Sequence, residues 1–232
     1  MTVPAQFRRV LVALAFMFVM IGGVAHADST FGSWAQIKPW PIGPIHGALL
    51  PNGQVLFWGG EDQSGDFAYL WNPATDTVTP AGRPGYDIFC AGHSFLPGGE
   101  LLVTGGHIED YVGLPNASLY FPFTNSWTAL PNMNAGRWYP SNLTLPNGDV
   151  LVHSGSIDLT QWTNKIPQIW QRATQTWRDL TTAVVSDDLY PWLHITPEGQ
   201  GRVFRSGSFD EIRQDREVID VYLGRRSDAQ PA

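Results

Sequence analysis

Short apolar runs separated by Gly- and Pro-rich turns fill the chain from about residue 45 to residue 195, and no long stretch has helical spacing. Leu50 opens LPNGQVLFWGG, Leu96 opens LPGGELLVTGG and Leu145 opens LPNGDVLVHSG. Thr196 opens TPEGQGRVFRSG, one residue longer before its glycine. The repeat prolines, Pro51, Pro97, Pro146 and Pro197, stand 46, 49 and 51 residues apart. In the first three units a second signature follows: AYLWNPATDTV, ASLYFPFTNSW and PQIWQRATQTW. Each unit therefore reads as an apolar strand, a Pro-x-Gly turn and a Val/Leu-rich strand, then a Tyr/Trp strand, a turn and a last strand.

Four strands in roughly fifty residues is the size of one kelch-type β-propeller blade. The expected fold is all-β, with about three intact four-stranded blades and a degenerate fourth. The glycines serve tight turns and close packing between blades, and the ten tryptophans read as blade core rather than a sugar-stacking surface. Past Gly199 the composition changes. Twelve of the last 34 residues are charged, against 35 in the whole chain, and all ten Trp lie between Trp34 and Trp192. Residues 206–232 are expected to be an aberrant, disordered tail that follows a truncation or frameshift near Arg202–Gly207. A propeller removes its exposed edges by closing its ring, and three good units with a damaged fourth are not expected to close.

At the other end, Arg8 and Arg9 precede an apolar run from Val10 to Val24, which ends in Ala25-His26-Ala27. That order is a secretory signal peptide, residues 1–27, cleaved after Ala27. The run is short for a membrane span. Residues 28–205 are then the partial propeller, in an exported protein. Cleavage moves the formal charge from −7 to −9, which argues against nucleic acid or an anionic membrane as partner. Export also bears on Cys90, the single cysteine. One thiol makes no internal disulfide, so it reads as an intermolecular bond, a reactive group or a buried small hydrophobe.

The repeat register places that thiol. Seven residues before each repeat proline stand Pro44, Cys90, Tyr139 and Tyr190. Equivalent slots of a propeller sit at equal radius and height, here on the strand nearest the central channel. Cys90 and Tyr139 are thus expected to be neighbours across one blade boundary. Such a pair is ordinary sulfur–aromatic packing or a covalently joined one.

FCAGHSFLPGGELLVTGGH and AGRWYPSNLTLPNGDVLVHSGS resemble the copper-radical oxidases, the galactose and glyoxal oxidases, over roughly Ile45 to Trp192. The resemblance implies a seven-bladed kelch propeller and a copper ion beside a Cys–Tyr thioether radical cofactor. It also implies a small alcohol, aldehyde or carbohydrate substrate, oxidised by two electrons while O2 becomes H2O2. Phe89-Cys90 and Arg137-Trp138-Tyr139 match the family's Phe-Cys and Arg-x-Tyr contexts, so Cys90 would modify Tyr139. Tyr139 would ligate the copper and store one electron, and phenolate and imidazole suit Cu(II). The family's other ligands are a Tyr-His pair, which this sequence lacks, and a histidine from a C-terminal β-sandwich domain. Tyr190-Pro-Trp-Leu-His194 is not that pair and reads as structural. At the position of the tryptophan that covers the galactose oxidase thioether, spacing puts Ile157, with Trp162 off register. His46, His93 and His194 stand five, four and three residues before their prolines; they share no slot and are expected to offer no replacement site. The chain by itself is expected to be inactive. Two other readings stand beside it: a non-catalytic extracellular kelch module that binds carbohydrate or protein, and a damaged gene product.

Overall fold

A glycine in the left-handed region closes each Pro-x-Gly turn, because no other residue adopts that backbone without cost. Gly53, Gly99, Gly148 and Gly199 have φ of 81°, 91°, 86° and 79°. In each, the glycine N–H donates to the carbonyl three residues back, of Leu50, Leu96, Leu145 and Thr196. The fourth repeat, degenerate in sequence, thus makes the same turn as the other three.

These turns organise the computed structural model, which describes residues 37–60, 65–196, 199 and 201–205. The expected signal peptide and tail lie outside the described residues. By its contacts the chain divides between Pro39 and Trp40. Ile37–Pro39, all that is described of the first unit, are irregular, and the strands lie in the second unit.

The strands form three four-stranded antiparallel sheets. The first holds β1 (His46–Leu49), β2 (Val55–Trp58), β3 (Ala68–Asn72) and β4 (Thr77–Pro80) in that order. The second holds β5 (Gly92–Phe95), β6 (Leu101–Thr104), β9 (Ala117–Phe121) and β10 (Ser126–Ala129). Between β6 and β9 runs an added hairpin, β7 (His107–Glu109) with β8 (Val112–Gly113). The third holds β11 (Ser141–Thr144), β12 (Val150–His153), β13 (Gln168–Gln171) and β14 (Thr176–Asp179). Then β15 (Trp192–Ile195) pairs with β16 (Gly201–Arg205), with a bulge at Trp192/Leu193. The all-β class expected from the pattern is the class formed. Among the described residues no helix is long and apolar enough to cross a membrane.

The continuous apolar run of β6 has a direct cause. A strand covered on both faces loses the in–out alternation of a half-buried one. Leu101 and Val103 join Leu56, Trp58, Leu70 and Tyr120 in one core cluster, whereas Leu102 joins Val150, Val152 and Trp170 in another. The last strands are tied back by repeated indole hooks. Trp127 Nε1 donates to the Gly82 carbonyl and Trp177 Nε1 to that of Pro131, at 2.8 and 2.7 Å. Among the described residues most tryptophans lie in or against this core, and Trp162 and Trp192 are the exposed ones.

Candidate functional site

The first strand of each unit begins two residues after its slot residue, and the slot backbone is unusual. Cys90, Tyr139 and Tyr190 have φ of 60°, 62° and 48°. The left-handed region costs a side-chain-bearing residue about 1 kcal/mol or more. A ladder across the sheets offsets part of that cost. The Tyr139 N–H donates to the Cys90 carbonyl at 2.9 Å, and the Tyr190 N–H to the Tyr139 carbonyl at 2.8 Å. Pro44 occupies the first slot, and its ring locks φ at negative values. There His46 substitutes, its Nε2 accepting the Cys90 N–H at 3.2 Å.

The ladder sets where the side chains go. Cys90 is fully buried. Tyr139 is half-buried and lines a cleft of about 470 Å3, with His46, His93, Asn142 and Tyr190 around it. His46 stacks on Trp58, with centroids 5.0 Å apart and planes 11° from parallel. The His93 ring stands edge-on to both, 5.9 Å from His46 and 5.2 Å from Trp58. Burial, and then the neighbouring His93, lower the His46 pKa to about 4; burial lowers that of His93. Both imidazoles are consequently held toward the neutral form, the form that accepts hydrogen bonds and binds metals. Because Nε2 of neutral His46 accepts, its proton sits on Nδ1.

The Tyr139 ring is sandwiched. Trp138 lies on it with centroids 3.9 Å apart and planes 7° from parallel, and Tyr190 at 4.6 Å and 15°. Trp138 Nε1 donates to Nδ1 of His107 at 3.0 Å. The Tyr190 hydroxyl reaches the Ala91 carbonyl, and burial first, then Cys90 and Tyr139, push its pKa up.

Arg137 fixes the segment from beneath. Fully buried, it donates to the carbonyls of Ser154 and Ile166, both at 2.7 Å, and to Asn134 Oδ1 at 3.3 Å. Burial lowers its pKa to about 9, with Asp179 acting the other way, so the guanidinium stays charged at neutral pH. His153 does similar work beyond Tyr139. Its Nε2 meets Asp187 Oδ2 at 2.5 Å, and Ser154 Oγ donates to the carbonyls of Asp187 and Asp188, just ahead of Tyr190.

Three contacts here do not follow from the repeat register. His46 and His93 share no slot, yet their rings meet at the cleft, because His46 reaches over from β1 to the Cys90 N–H. Tyr190, expected to be structural only, lies against Tyr139 in the cleft wall. The cover of the Tyr139 ring comes from Trp138, the residue before it, rather than from the position of Ile157.

For a metal, the fit is partial. Tyr139, His46 and His93 line one cleft, and phenol with neutral imidazole is a donor chemistry that suits Cu(II). His46 Nε2 is already taken by the Cys90 N–H, and among the described residues no three His, Cys, Asp or Glu converge.

No protein-family model matches the chain. Galactose oxidase of Gibberella zeae is 29% identical over 203 residues, covering 76% of this chain and 28% of that protein. Aldehyde oxidase GLOX of Vitis pseudoreticulata is 25% identical over 197 residues, covering 79% and 36% respectively. A fungal alcohol oxidase of the AA5 family, solved in complex with copper, shares the fold with a TM-score of 0.56 and 23% identity, over 70% of this chain and 37% of that one. The chain is related to the copper-radical oxidases. It spans between 28% and 36% of the length of these two relatives.

Proposed function

We propose that the chain carries the cofactor-forming part of a secreted copper-radical oxidase. Such an enzyme oxidises a small alcohol, aldehyde or carbohydrate by two electrons and reduces O2 to H2O2. The observation that carries this reading is the ladder bond between Tyr139 and Cys90, which joins a buried cysteine and a cleft-lining tyrosine in adjacent slots. In this reading the three four-stranded sheets are kelch-type propeller blades and β15–β16 opens a fourth. Residues 1–27 are the leader, 28–205 the partial propeller and 206–232 the tail. The shared turn geometry of all four repeats supports the blade assignment.

Cys90 Sγ bonds to a ring carbon beside the Tyr139 hydroxyl. The thiol and the ring each lose a hydrogen, and O2 takes up both as H2O2. The Tyr139 phenolate would hold a copper ion in part; the ion would supply one electron acceptor and the oxidised Tyr139 the second. Trp138 covers one face of the Tyr139 ring and shields it from water. Arg137 and the ladder hold Trp138 and Tyr139 in place, so little reorganises when Tyr139 loses an electron. Neutral His93 faces the cleft as a hydrogen-bond acceptor for a substrate hydroxyl. Tyr139 is one donor among the ligands such a site needs, and this polypeptide alone does not turn over. Peptide mapping of the Cys90–Tyr139 bond after aerobic copper loading tests the proposal.

A further inference from the structure

The rings around Tyr139 do not stop at Trp138. Tyr111 stands edge-on to Trp138 at 4.8 Å between centroids, and Trp162 lies 4.8 Å beyond Tyr111. Trp138 is 5% exposed, Tyr111 39% and Trp162 50%. The series therefore runs from the half-buried Tyr139 to open solvent, and it carries no gap wider than one ring contact.

Its middle member is held there with some care. Tyr111 sits in the turn of the β7–β8 hairpin, the element that only the second sheet carries among the described residues. Its φ is 67°, a costly conformation for a tyrosine. Ser156 Oγ donates to its carbonyl, and Ser156 in turn exchanges two backbone hydrogen bonds with Trp138. A Cβ on Gly113 would come within 2.3 Å of the Arg137 and Trp138 backbone, so the hairpin lies as close to Trp138 as a backbone can. The loop that carries Trp162 is organised by Asp158 Oδ1, which accepts from the N–H groups of Thr160 and Gln161 and from the Thr160 hydroxyl.

We propose that Trp138, Tyr111 and Trp162 form an electron relay between Tyr139 and a one-electron oxidant at the protein surface. It rests on the reading of Tyr139 as a redox residue. In the oxidising direction the external oxidant takes an electron from Trp162, and the vacancy passes through Tyr111, whose phenol proton moves to solvent and back, and through Trp138 to Tyr139. The Tyr139 phenol proton leaves to water in the cleft, so that one electron and one proton depart and the oxidant is reduced once. Oxidation of an indole makes its N–H acidic, and His107 Nδ1 already accepts the Trp138 N–H. The proton shifts to His107 while Trp138 is oxidised and returns when Trp138 is reduced. Tunnelling between rings falls steeply with the gap, so successive contacts outrun one long jump.

The test needs neither copper nor the thioether. Photogenerated tris(bipyridine)ruthenium(III), too bulky for the cleft, oxidises the intact chain, and freeze-quench electron paramagnetic resonance follows the tyrosyl radical that Tyr139→Phe abolishes. Trp162→Phe and Tyr111→Phe keep a ring in place but resist oxidation. Each is expected to slow formation of the Tyr139 radical by about tenfold or more, about 1.4 kcal/mol in barrier. Trp162→Tyr restores an oxidisable ring and is expected to restore the rate, which a packing role would not do. Unchanged rates in both Phe variants, or a radical that never reaches Tyr139, would overturn the relay. If the relay works while mapping finds no Cys90–Tyr139 bond, the oxidase reading fails on its own.

Discussion

The backbone N–H of Tyr139 donates to the carbonyl of Cys90, 2.9 Å away across a sheet boundary. Both residues are in the left-handed region, which for each costs free energy that a single hydrogen bond, at about 1 kcal/mol net, only begins to offset. The same bond recurs from Tyr190 to Tyr139, so the conformation belongs to the repeat. What is particular to this pair is its chemistry, a thiol and a phenol.

Arg137 bridges the Ser154 and Ile166 carbonyls at 2.7 Å, and Asn134 Nδ2 reaches only the second, at 3.4 Å. Arg137→Met leaves them without their buried donor and is expected to cost on the order of 3 kcal/mol. Arg137→Lys keeps the charge but lacks the planar fork, and should recover less than half. Urea unfolding with an unchanged m-value measures both; a loss under about 0.5 kcal/mol in Arg137→Met would refute the anchoring role.

His46 makes stability depend on pH. Its folded pKa of about 4 lies below the unfolded value of 6.5. Above that value both states are neutral and pH has no effect through this group. As pH falls from 6.5 toward 4 the unfolded chain takes up a proton that the folded chain refuses, so stability drops and then levels off. Between pH 7.5 and pH 5 the parent should lose about 2 kcal/mol more than His46→Gln, which keeps an acceptor without a titration. Equal losses in the two proteins would contradict the buried neutral imidazole.

The indole hooks of Trp127 and Trp177 occupy equivalent places in successive sheets. Trp127→Phe and Trp177→Phe each remove one donor and should each cost about 1 kcal/mol. Because they serve different boundaries, the double variant should show the sum. Thermal unfolding of the three variants decides it, and a neutral Trp177→Phe would break the equivalence.

Loaded with Cu(II) in air, the 232-residue chain should release no sustained peroxide from galactose, methylglyoxal or simple alcohols, and should yield its copper to weak competing chelators. Steady peroxide release that Tyr139→Phe abolishes would show that the chain builds a working site by itself.

The repeat was legible because a Pro-x-Gly turn demands a left-handed glycine, and Gly53, Gly99 and Gly148 are spaced to supply it. Counting from those turns was enough to set Cys90 and Tyr139 side by side. The rest of the site does not follow from register. Neighbouring residues of an extended strand point to opposite faces, so Trp138 has no reason to cover Tyr139 until the positive φ of Tyr139 turns its ring back. His46 and His93 meet because His46, rather than the Pro44 slot, accepts the Cys90 N–H, a contact across sheets with no periodic signature. Tyr190 was in the counted slot, and its stacking on Tyr139 comes from the ladder.

In the proposed function Cys90 and Tyr139 become one cofactor. The protein, purified from a secreting host and incubated in air with excess Cu(II), is digested and its peptides are mapped by mass spectrometry. The expected product is a branched peptide that joins the Cys90 and Tyr139 segments, two hydrogen atoms lighter than their sum, lost in Tyr139→Phe and in Cys90→Ser. Two linear peptides, with Cys90 fully alkylated after unfolding, would contradict it.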